Sequence, residues 1–189
     1  MSRLIVSEFM TLDGVVEAPG GEPTHPHGGW AIEFGSQEQM EYKLREVQDA
    51  ESLLLGRVTY EGFAEAWPGR DGVFADKMNA MPKYVVSSTL SAPLAWENST
   101  LLNGDPAAAV AQLKARETGI ILVAGSASLV PFLIEHDLVD ELRLMVFPLM
   151  VGGGKRFFPE SMQKKRFEPA GSTAFPSGVA VHTYVPVRD

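Results

Sequence analysis

Short apolar runs alternate with amphipathic stretches along most of the chain. Residues 3–10 and 52–55 are apolar runs of the kind that form buried strands. Between them, Met40, Leu44 and Val47 recur at helical spacing, and charged residues occupy the other face. The pattern therefore predicts a strand, a long irregular segment, a helix and a second strand in the first part of the chain.

The rest of the chain continues this alternation. Asp105 and Pro106 predict a helix start, because an Asp side chain accepts the first free amides and proline fits the first helical position. Ser36 and Gln39 form a capping-box pattern at the start of the first helix. The further predicted strands are 83–88, 100–102, 120–124, 138–150, 166–172 and 179–187. The further predicted helices are 58–66, 73–81, 105–118 and 128–135.

This order of elements predicts an α/β fold. Strands that alternate with helices form a mostly parallel central sheet, because parallel strands need crossover connections. Three strands with few helical residues between them close the chain, which predicts antiparallel additions at one edge of the sheet. No repeat, low-complexity segment or linker interrupts the sequence, so a single domain over residues 1–189 is expected.

The segment 11–35 stands apart from this alternation. Glycine and proline punctuate it so densely that no regular element is expected there. Loops of this length in a compact domain are typically either functional or disordered. Trp30, Ile32 and Phe34 near its end indicate that it packs over another part of the molecule.

Composition and charge narrow the classes of function. Hydrophobic residues make up 45% and charged residues 21% of the chain, as in ordinary globular proteins. The net charge of −8 disfavours nucleic acid and anionic membrane surfaces as partners. The absence of cysteine excludes disulfides, thiolate metal sites and a cysteine nucleophile. No apolar run approaches the roughly 20 residues that cross a bilayer and no leader is visible, so a cytoplasmic protein is expected.

Three turns rich in glycine or hydroxyl groups follow predicted strands. Gly56 and Arg57 open a helix whose free amides favour a phosphate, although an ordinary turn with a surface arginine has the same pattern. Residues 125–128 suit a phosphate cradle or a simple helix cap, and the hydroxyls of 87–89 suit a sugar, a phosphate or a polar loop. Ligands of open α/β sheets bind at the carboxyl ends of the strands, where all three turns stand. One elongated ligand, such as a dinucleotide, is therefore the favoured interpretation.

Other candidate groups carry weaker signals. Asp13 follows the first strand and either orients a polar substrate or bonds its own turn. Residues 152–159 lack the Walker pattern and form either a phosphate-facing loop or a hairpin connection. His25 and His27 are close in sequence, but no third ligand stands at a fitting spacing, so no metal site is predicted.

Four segments stand in a distinctive order and spacing: LLLGRVTYEGF, PKYVVSSTL, ILVAGSASLVPFLIEHDLVDEL and PLMVGGGKRFFP. Together with the N-terminal MTLDGVVEAPGG, they resemble the dihydrofolate reductase-like superfamily. The branch they are most similar to includes the reductase domain of the bifunctional riboflavin-biosynthesis deaminase-reductase. The resemblance covers nearly the whole chain. It implies a three-layer dihydrofolate reductase-like fold, with NADPH across the carboxyl edge of the sheet.

The resemblance also implies roles for individual residues. Arg57 and the hydroxyls of 87–89 favour NADPH over NADH, because arginine binds a 2′-phosphate well. Relatives in this branch are commonly homodimers paired through their C-terminal strands, which implies the same here. The positions expected at the cofactor are Gly56, Arg57, Thr59, Ser87, Ser88, Thr89, Gly125, Ser126, Ala127 and Leu129. The positions expected around the substrate are Asp13, Trp30, Phe34 and Met40.

One departure from the family bears on the substrate. Dihydrofolate reductases carry an acidic residue on the first helix that bonds the pteridine ring, and alignment on GRVTYE places Met40 near that position. A methionine cannot bond an aminopyrimidine as a carboxylate does. Glu38 or Glu41 could replace it only with a different helix register.

The function expected from the sequence is therefore that of an NADPH-dependent reductase. Its substrate is expected to be a small heterocycle, imine or carbonyl compound, as for the 5-amino-6-(5-phosphoribosylamino)uracil reductase of riboflavin biosynthesis. Hydride transfer needs no protein nucleophile, and Asp13 or water is expected to supply the proton. Dihydrofolate reductase activity and a non-catalytic dinucleotide-binding module stay open as alternatives.

Overall fold

The computed structural model describes residues 1–188. Every strand and helix predicted from the sequence pattern is present, with ends that differ by a few residues. The strands are β1 (Arg3–Thr11), β2 (Ala50–Gly56), β3 (Lys83–Val86), β4 (Ser99–Leu102), β5 (Ile120–Ala124), β6 (Glu141–Phe147), β7 (Phe167–Ala174) and β8 (Ala180–Pro186). The helices are α1 (Gln37–Asp49), α2 (Arg57–Ala66), α3 (Val73–Ala80), α4 (Pro106–Arg116) and α5 (Leu129–Glu135).

All eight strands form one sheet in the order β4-β3-β2-β5-β1-β6-β8-β7. The strands from β4 to β6 run parallel to one another. β8 pairs antiparallel with β6, and β7 pairs antiparallel with β8. The predicted mostly parallel sheet with antiparallel pairing at its C-terminal edge is confirmed, and β8 is the strand that reverses direction.

Helices cover both faces of the sheet. Leu53 and Leu55 of β2 pack with Val47 of α1 and Tyr60 of α2, whereas Leu54 points to the other face, among side chains of α4 and α5. This alternation follows from the pleat of a strand, in which successive side chains point to opposite faces. The predicted three-layer architecture is confirmed.

The helix starts show which local signals act as predicted. The Asp105 carboxylate accepts the amide of Ala108 at 2.8 Å, as the sequence predicts for the start of α4. The Ser36 hydroxyl accepts the amide of Gln39 at 3.3 Å, so the first half of the predicted capping box forms. The second half does not appear among the described residues, because the side-chain oxygen of Gln39 accepts the hydroxyl of Ser177 instead.

The long segment after β1 is irregular except for a short 3₁₀ helix at Ile32–Phe34, which the sequence did not predict. The indole of Trp30 donates to the carbonyl of Glu17 at 2.8 Å, and its ring packs edge-on against Phe147 of β6. Val15 forms a β-bridge with Arg156. The prediction that this segment packs over another part of the molecule is confirmed.

Candidate active site

The carboxyl ends of four neighbouring parallel strands meet at one edge of the sheet. These strands lie in the order β3, β2, β5 and β1. The turns at 87–89, 56–57 and 125–128 follow the first three strands directly, and Asp13 follows β1. The structure therefore brings the three turns found in the sequence onto one edge, where ligands of open α/β sheets bind.

The turns after β2 and β5 interlock. A Cβ atom at Gly56 would lie 2.6 Å from the Ser126 hydroxyl oxygen, which is closer than non-bonded atoms approach. In the opposite direction, Gly125 has a φ of +77° and faces Thr59 of α2, where a Cβ atom would lie 3.3 Å from the Thr59 hydroxyl oxygen. Glycine at both positions lets the turns at 56–59 and 125–129 pack directly against each other, and these two turns together form what we call the cradle.

This cradle fits the phosphate groups of a dinucleotide. The free amides at the start of α2 and the helix dipole favour an anion there. Thr59 adds a hydroxyl, and Arg57, the first residue of α2, adds a positive charge. Ser126 is 7% exposed, and Ala127 and Leu129 follow it along the chain.

Arg57 is held in an exposed ion pair. Its guanidinium lies 2.9 Å from the carboxylate of Glu61, one helical turn later, and about half of both side chains is exposed. Ion pairs between exposed groups contribute little free energy. A phosphate could therefore take the place of Glu61 at low cost.

The hydroxyl groups of the turn at 87–89 have two roles: one stabilises the turn, and two are exposed. The Ser87 hydroxyl accepts the amides of Thr89 at 3.1 Å and Leu90 at 3.0 Å, so it shapes its own turn. Ser88 and Thr89 are exposed at the carboxyl end of β3. These two side chains are the ones open to a ligand.

Asp13 connects the loop that follows β1 to the loop that follows β6. Its carboxylate accepts the Thr11 hydroxyl at 2.6 Å and the amide of Gly152 at 2.9 Å. The Arg156 guanidinium also donates to the Asp13 carbonyl. The hydrogen bond from Thr11 and those from the backbone hold the pKa of Asp13 below its usual range, so this carboxyl is ionised at neutral pH and holds no proton to donate.

Aromatic side chains gather on the α1 face of β1 and β6. Phe147 stands at their centre, with ring centroids at 5.2 Å from Phe9, 5.2 Å from Trp30 and 6.0 Å from Phe34. Trp30 is 1% exposed, so its indole supports this cluster from beneath. Phe9 and Phe34 are half-buried and present ring surface.

On α1, the buried carboxylate is Glu46 rather than Glu38 or Glu41, which are exposed. Glu46 accepts the Ser7 hydroxyl at 2.8 Å and pairs with Lys43 and with Arg143 of β6. Although burial raises the pKa of Glu46, the neighbouring Lys43 and these hydrogen bonds bring it below its usual range.

This network was missed in the sequence because the charged positions of α1 indicated a solvated face. Met40 is 59% exposed, whereas Gln39, the residue before it on α1, is buried. Met40 therefore lies at the surface of α1, and Lys43, one turn later, is mostly covered. The one local signal is the spacing of Lys43 and Glu46, which places opposite charges on one side of a helix.

Glu8 of β1 is a second residue that the sequence did not reveal. It lies inside an apolar run and is 5% exposed. Burial raises the pKa of Glu8 to about 8. Its single signal was an acidic residue inside a run expected to be buried.

The remaining polar features lie away from this edge or are fully engaged. The His25 ring donates from Nε2 to the carbonyl of Gly153 at 2.9 Å, and its Nδ1 accepts the amide of His27. Within residues 1–188, no group of three histidine, aspartate or glutamate side chains could hold a metal ion.

A cavity of about 410 Å³ lies beside β4 and is lined by residues of the segment 92–103. None of the helices in the described part of the chain has the length and apolar character to cross a membrane.

A family model described as the RibD C-terminal domain matches residues 2–181. The chain belongs to the RibD C-terminal domain family. The uncharacterized protein YyaP of Bacillus subtilis (strain 168) is 26% identical over 188 residues, which cover 96% of this chain and 94% of YyaP.

Solved structures share the fold of this chain. A Shewanella sp. PV-4 protein provisionally assigned to riboflavin biosynthesis has a TM-score of 0.75 at 21% identity, covering 98% of this chain and 99% of its own. Dihydrofolate reductase from Enterococcus faecalis, in complex with NADP(H), has a TM-score of 0.59 at 17% identity, covering 98% of this chain and 97% of its own. The predicted dihydrofolate reductase-like fold and the predicted RibD branch are confirmed.

Proposed function

We propose that this member of the RibD C-terminal domain family is an NADPH-dependent reductase of a small heterocyclic, imine or carbonyl substrate. The observation that carries the proposal is the cradle at the carboxyl edge of the sheet, in which Gly56 packs against Ser126 and Gly125 packs against Thr59. When bound, the reduced nicotinamide supplies the hydride. The protein's task is to bind the cofactor and the substrate, to align them and to exclude water.

The residues at the sheet edge take separate parts in this proposal. Thr59 binds the diphosphate, and Arg57 exchanges Glu61 for the 2′-phosphate. Ser88 and Thr89 bind the adenosine ribose and its 2′-phosphate, and Ser87 keeps their turn in shape. The remaining cofactor positions, at the diphosphate and the nicotinamide side, are Gly56, Gly125, Ser126, Ala127 and Leu129.

The substrate in this proposal lies between the long loop and the α1 face of β1. Phe34 and Phe9 provide an apolar wall, and Trp30 supports that wall from beneath. Met40 stands at the rim, where its exposed side chain can cover a ligand. Asp13 joins the two loops that close over the substrate.

The charges on α1 favour some substrates over others. An aminopyrimidine ring such as that of dihydrofolate needs a carboxylate to accept its N–H groups. Glu46 is the buried carboxylate of α1, and its oxygens already bind Ser7, Lys43 and Arg143. Lys43 donates to Ser7 and Glu46, which leaves one of its three N–H groups for the carbonyl oxygen of a uracil-type ring. Dihydrofolate is therefore the less favoured substrate.

A cytoplasmic homodimer belongs to the same proposal. β7 is the outermost strand on the C-terminal side of the sheet, and the side chains of Glu168–Ala174 are exposed. A second copy paired through these strands would cover them. Light scattering after size exclusion tests this part, and a monomer at micromolar concentration contradicts it.

The first experiment is a thermal-unfolding titration with NADPH and with NADH. A ligand at about 100 times its dissociation constant adds roughly 2.7 kcal/mol to the free energy of unfolding, which is easily seen. We expect stabilisation by NADPH at lower concentration than by NADH. No stabilisation by either nucleotide contradicts the proposal.

The second experiment follows NADPH oxidation by absorbance. The panel contains 5-amino-6-(5-phosphoribosylamino)uracil, dihydrofolate, and simple imines and carbonyl compounds. We expect oxidation with the uracil or with another carbonyl or imine compound, at a rate above that with dihydrofolate. Binding of NADPH without oxidation across the panel instead supports a non-catalytic dinucleotide-binding module.

A further inference from the structure

A series of alternating charges, which we call the ion chain, lies on the α1 face of β1 and β6. Arg3 pairs with Glu141 at 2.7 Å, and Glu141 pairs with Arg143 at 2.6 Å. Arg143 pairs in turn with Glu46 of α1 at 3.2 Å, and Glu46 pairs with Lys43. The ion chain therefore has a cation at each end and sets three positive charges against two negative ones.

The ion chain runs along the strands toward the carboxyl edge of the sheet. Arg3 is the first residue of β1, and its side chain is 57% exposed. Arg143 lies opposite Ser7, four residues further along β1. The amine of Lys43 donates to the Ser7 hydroxyl at 2.8 Å. Lys43 is therefore the end of the ion chain that lies nearer the carboxyl edge.

Ser7 connects this end of the ion chain to the cradle. It pairs with Ala124, the last residue of β5, and its carbonyl accepts the amide of Gly125 at 3.4 Å. Gly125 begins the second turn of the cradle. A single residue, Ser7, therefore separates the amine of Lys43 from the turn proposed to hold the nicotinamide side of the cofactor.

The direction of α1 brings Lys43 toward the proposed substrate space. α1 ends directly before the start of β2, so its N-terminal end lies toward the carboxyl edge of the sheet. Long side chains on a helix lean toward its N-terminus. The Lys43 amine lies 5.3 Å from the centre of the Phe9 ring, which belongs to the apolar wall proposed for the substrate. Lys43 therefore lies where this wall meets the cradle.

One N–H group of Lys43 has no acceptor among residues 1–188. The ammonium has three N–H groups, and Ser7 and Glu46 accept two of them. The side chain of Lys43 is 16% exposed, whereas that of Glu46 is 1% exposed. Lys43 is therefore the member of this pair that a ligand can reach.

The positive charge of Lys43 is only partly balanced. Its partner Glu46 is shared with Arg143. The charge of Lys43 also reaches Glu8, but burial raises the pKa of that carboxyl to about 8, so it is mostly neutral at pH 7. The neighbouring strand β5 carries no ionisable side chain. An excess of positive charge therefore stands at a partly covered site, where charges interact more strongly than in water.

We propose that Lys43 binds the substrate atom on which negative charge develops during hydride transfer, stabilises that charge and gives the atom a proton. This inference rests on the reductase function proposed above. It makes Lys43 a catalytic residue. It also favours substrates that present a carbonyl oxygen or an imine nitrogen there over those that present an amino group.

The step balances in atoms and electrons. The substrate carbon of a C=O or C=N bond accepts the hydride, with its two electrons, from the reduced nicotinamide. The π-electron pair of that bond moves to the oxygen or nitrogen, or onto a carbonyl oxygen conjugated with it, where the free N–H group of Lys43 bonds it. The proton of this hydrogen bond completes the product, and water returns a proton to Lys43.

Two rings of similar shape and different charge test this role without turnover. Uracil and barbiturate are both pyrimidines with carbonyl oxygens, but barbiturate is an anion at neutral pH and so imitates the charge that develops. Calorimetry on the protein saturated with NADPH measures both affinities. We expect barbiturate to bind about ten- to hundredfold more tightly than uracil, the range for a charge-assisted hydrogen bond.

Two variants of α1 locate the effect. Lys43→Met should remove the preference for barbiturate and lower kcat by about 100-fold with any compound that the wild type reduces, with NADPH affinity within about twofold. Arg45→Met is the matched control, because it removes the same charge from an exposed position of the same helix. It should keep the preference and kcat. A purely structural role of Lys43 would weaken both rings equally and leave the ratio of their affinities unchanged.

The outcomes separate this inference from the proposed function. Equal affinity of the wild type for the two rings, or a preference that persists in Lys43→Met, overturns the role of Lys43 and leaves the cofactor site standing. A wild-type protein that binds neither nucleotide overturns both. The wild-type ratio needs no variant, so a poorly folded Lys43→Met protein does not remove the test.

Discussion

Gly56 and Ser126 stand so close across two neighbouring strand ends that one methyl group at position 56 would lie 2.6 Å from the Ser126 hydroxyl oxygen. The turn after β2 and the turn after β5 therefore cannot shift independently. Since both turns are proposed to hold the same ligand, their contact keeps the cradle formed before the ligand arrives. Preformed sites avoid the free-energy cost of ordering on binding.

Gly56→Ala tests this contact. The added methyl group must displace Ser126, and overpacking of this kind costs about 1–3 kcal/mol of unfolding free energy. We also expect weaker nucleotide binding, because the cradle must widen. Urea denaturation and a binding titration measure the two effects.

Gly62→Ala is the matched control, within the helix that Gly56 precedes. A Cβ atom there meets nothing within 4 Å, and alanine is the better helix former by about 1 kcal/mol. This variant should be as stable as the wild type or more stable, with unchanged nucleotide binding. Equal losses in both variants would mean that the Gly56 contact has no special role.

Arg57→Gln tests the preference for NADPH. If Arg57 binds the 2′-phosphate, we expect NADPH affinity to fall about ten- to hundredfold, the range for charge-assisted hydrogen bonds, and NADH affinity to change less than about twofold. Glu61→Gln releases Arg57 from its ion pair, so NADPH should bind equally well or more tightly. A parallel loss for NADPH and NADH in Arg57→Gln contradicts the assignment.

Asp13→Asn separates positioning from proton donation. Loss of the charge weakens the bond to the Gly152 amide, so we expect faster hydrogen exchange at 151–153 and a higher KM. The pH profile of kcat should not change, because the pKa of Asp13 is already low. Glu17→Gln is the control, since Glu17 accepts the amide of Lys155 between the same two loops. A limb of the profile that disappears in Asp13→Asn would instead identify Asp13 as a proton donor.

The buried carboxyl of Glu8 also makes the free energy of unfolding depend on pH. Its pKa is 4.5 as a free group and about 8 in the folded chain, so between these values the folded state binds more protons. The contribution of Glu8 to the free energy of unfolding is fully present below about pH 4.5 and is lost as pH rises through about 8. The slope reaches up to about 1.4 kcal/mol per pH unit.

The comparison of wild type with Glu8→Gln isolates this effect. Urea denaturation between about pH 5.5 and about pH 7.5 should show the unfolding free energy of the wild type falling with pH relative to the variant. All other ionisable groups are shared and cancel in the difference. Parallel pH profiles of the two proteins contradict a buried, protonated Glu8.

The sequence predicted those features that depend on near neighbours. Asp105 caps Ala108 three positions later, and the apolar runs form strands because their own residues alternate between two covered faces. The glycines at 56 and 125 were found because turn chemistry and the family resemblance point to the same positions. These signals are local, so a linear pattern contains them.

The features that escaped prediction depend on distant partners. Gln39 bonds Ser177 instead of completing its own cap, and Asp13 bonds Gly152. Glu46 is buried because Arg143 and Ser7 meet it from two strands. No pattern along α1 or β1 specifies which strand lies opposite, so the burial of these charges cannot be derived before the sheet order is known.

The position of β1 in the middle of the sheet has a consequence for biosynthesis. Arg3 pairs with Ile120, and Ile5 pairs with Glu141, so β1 leaves the ribosome more than 100 residues before either neighbouring strand and stays unpaired until both have been made. Folds dominated by such distant pairings fold slowly and leave apolar strands exposed meanwhile. A nascent chain that ends before β5 lacks the cradle, so nucleotide cannot stabilise the intermediates that precede the synthesis of β5.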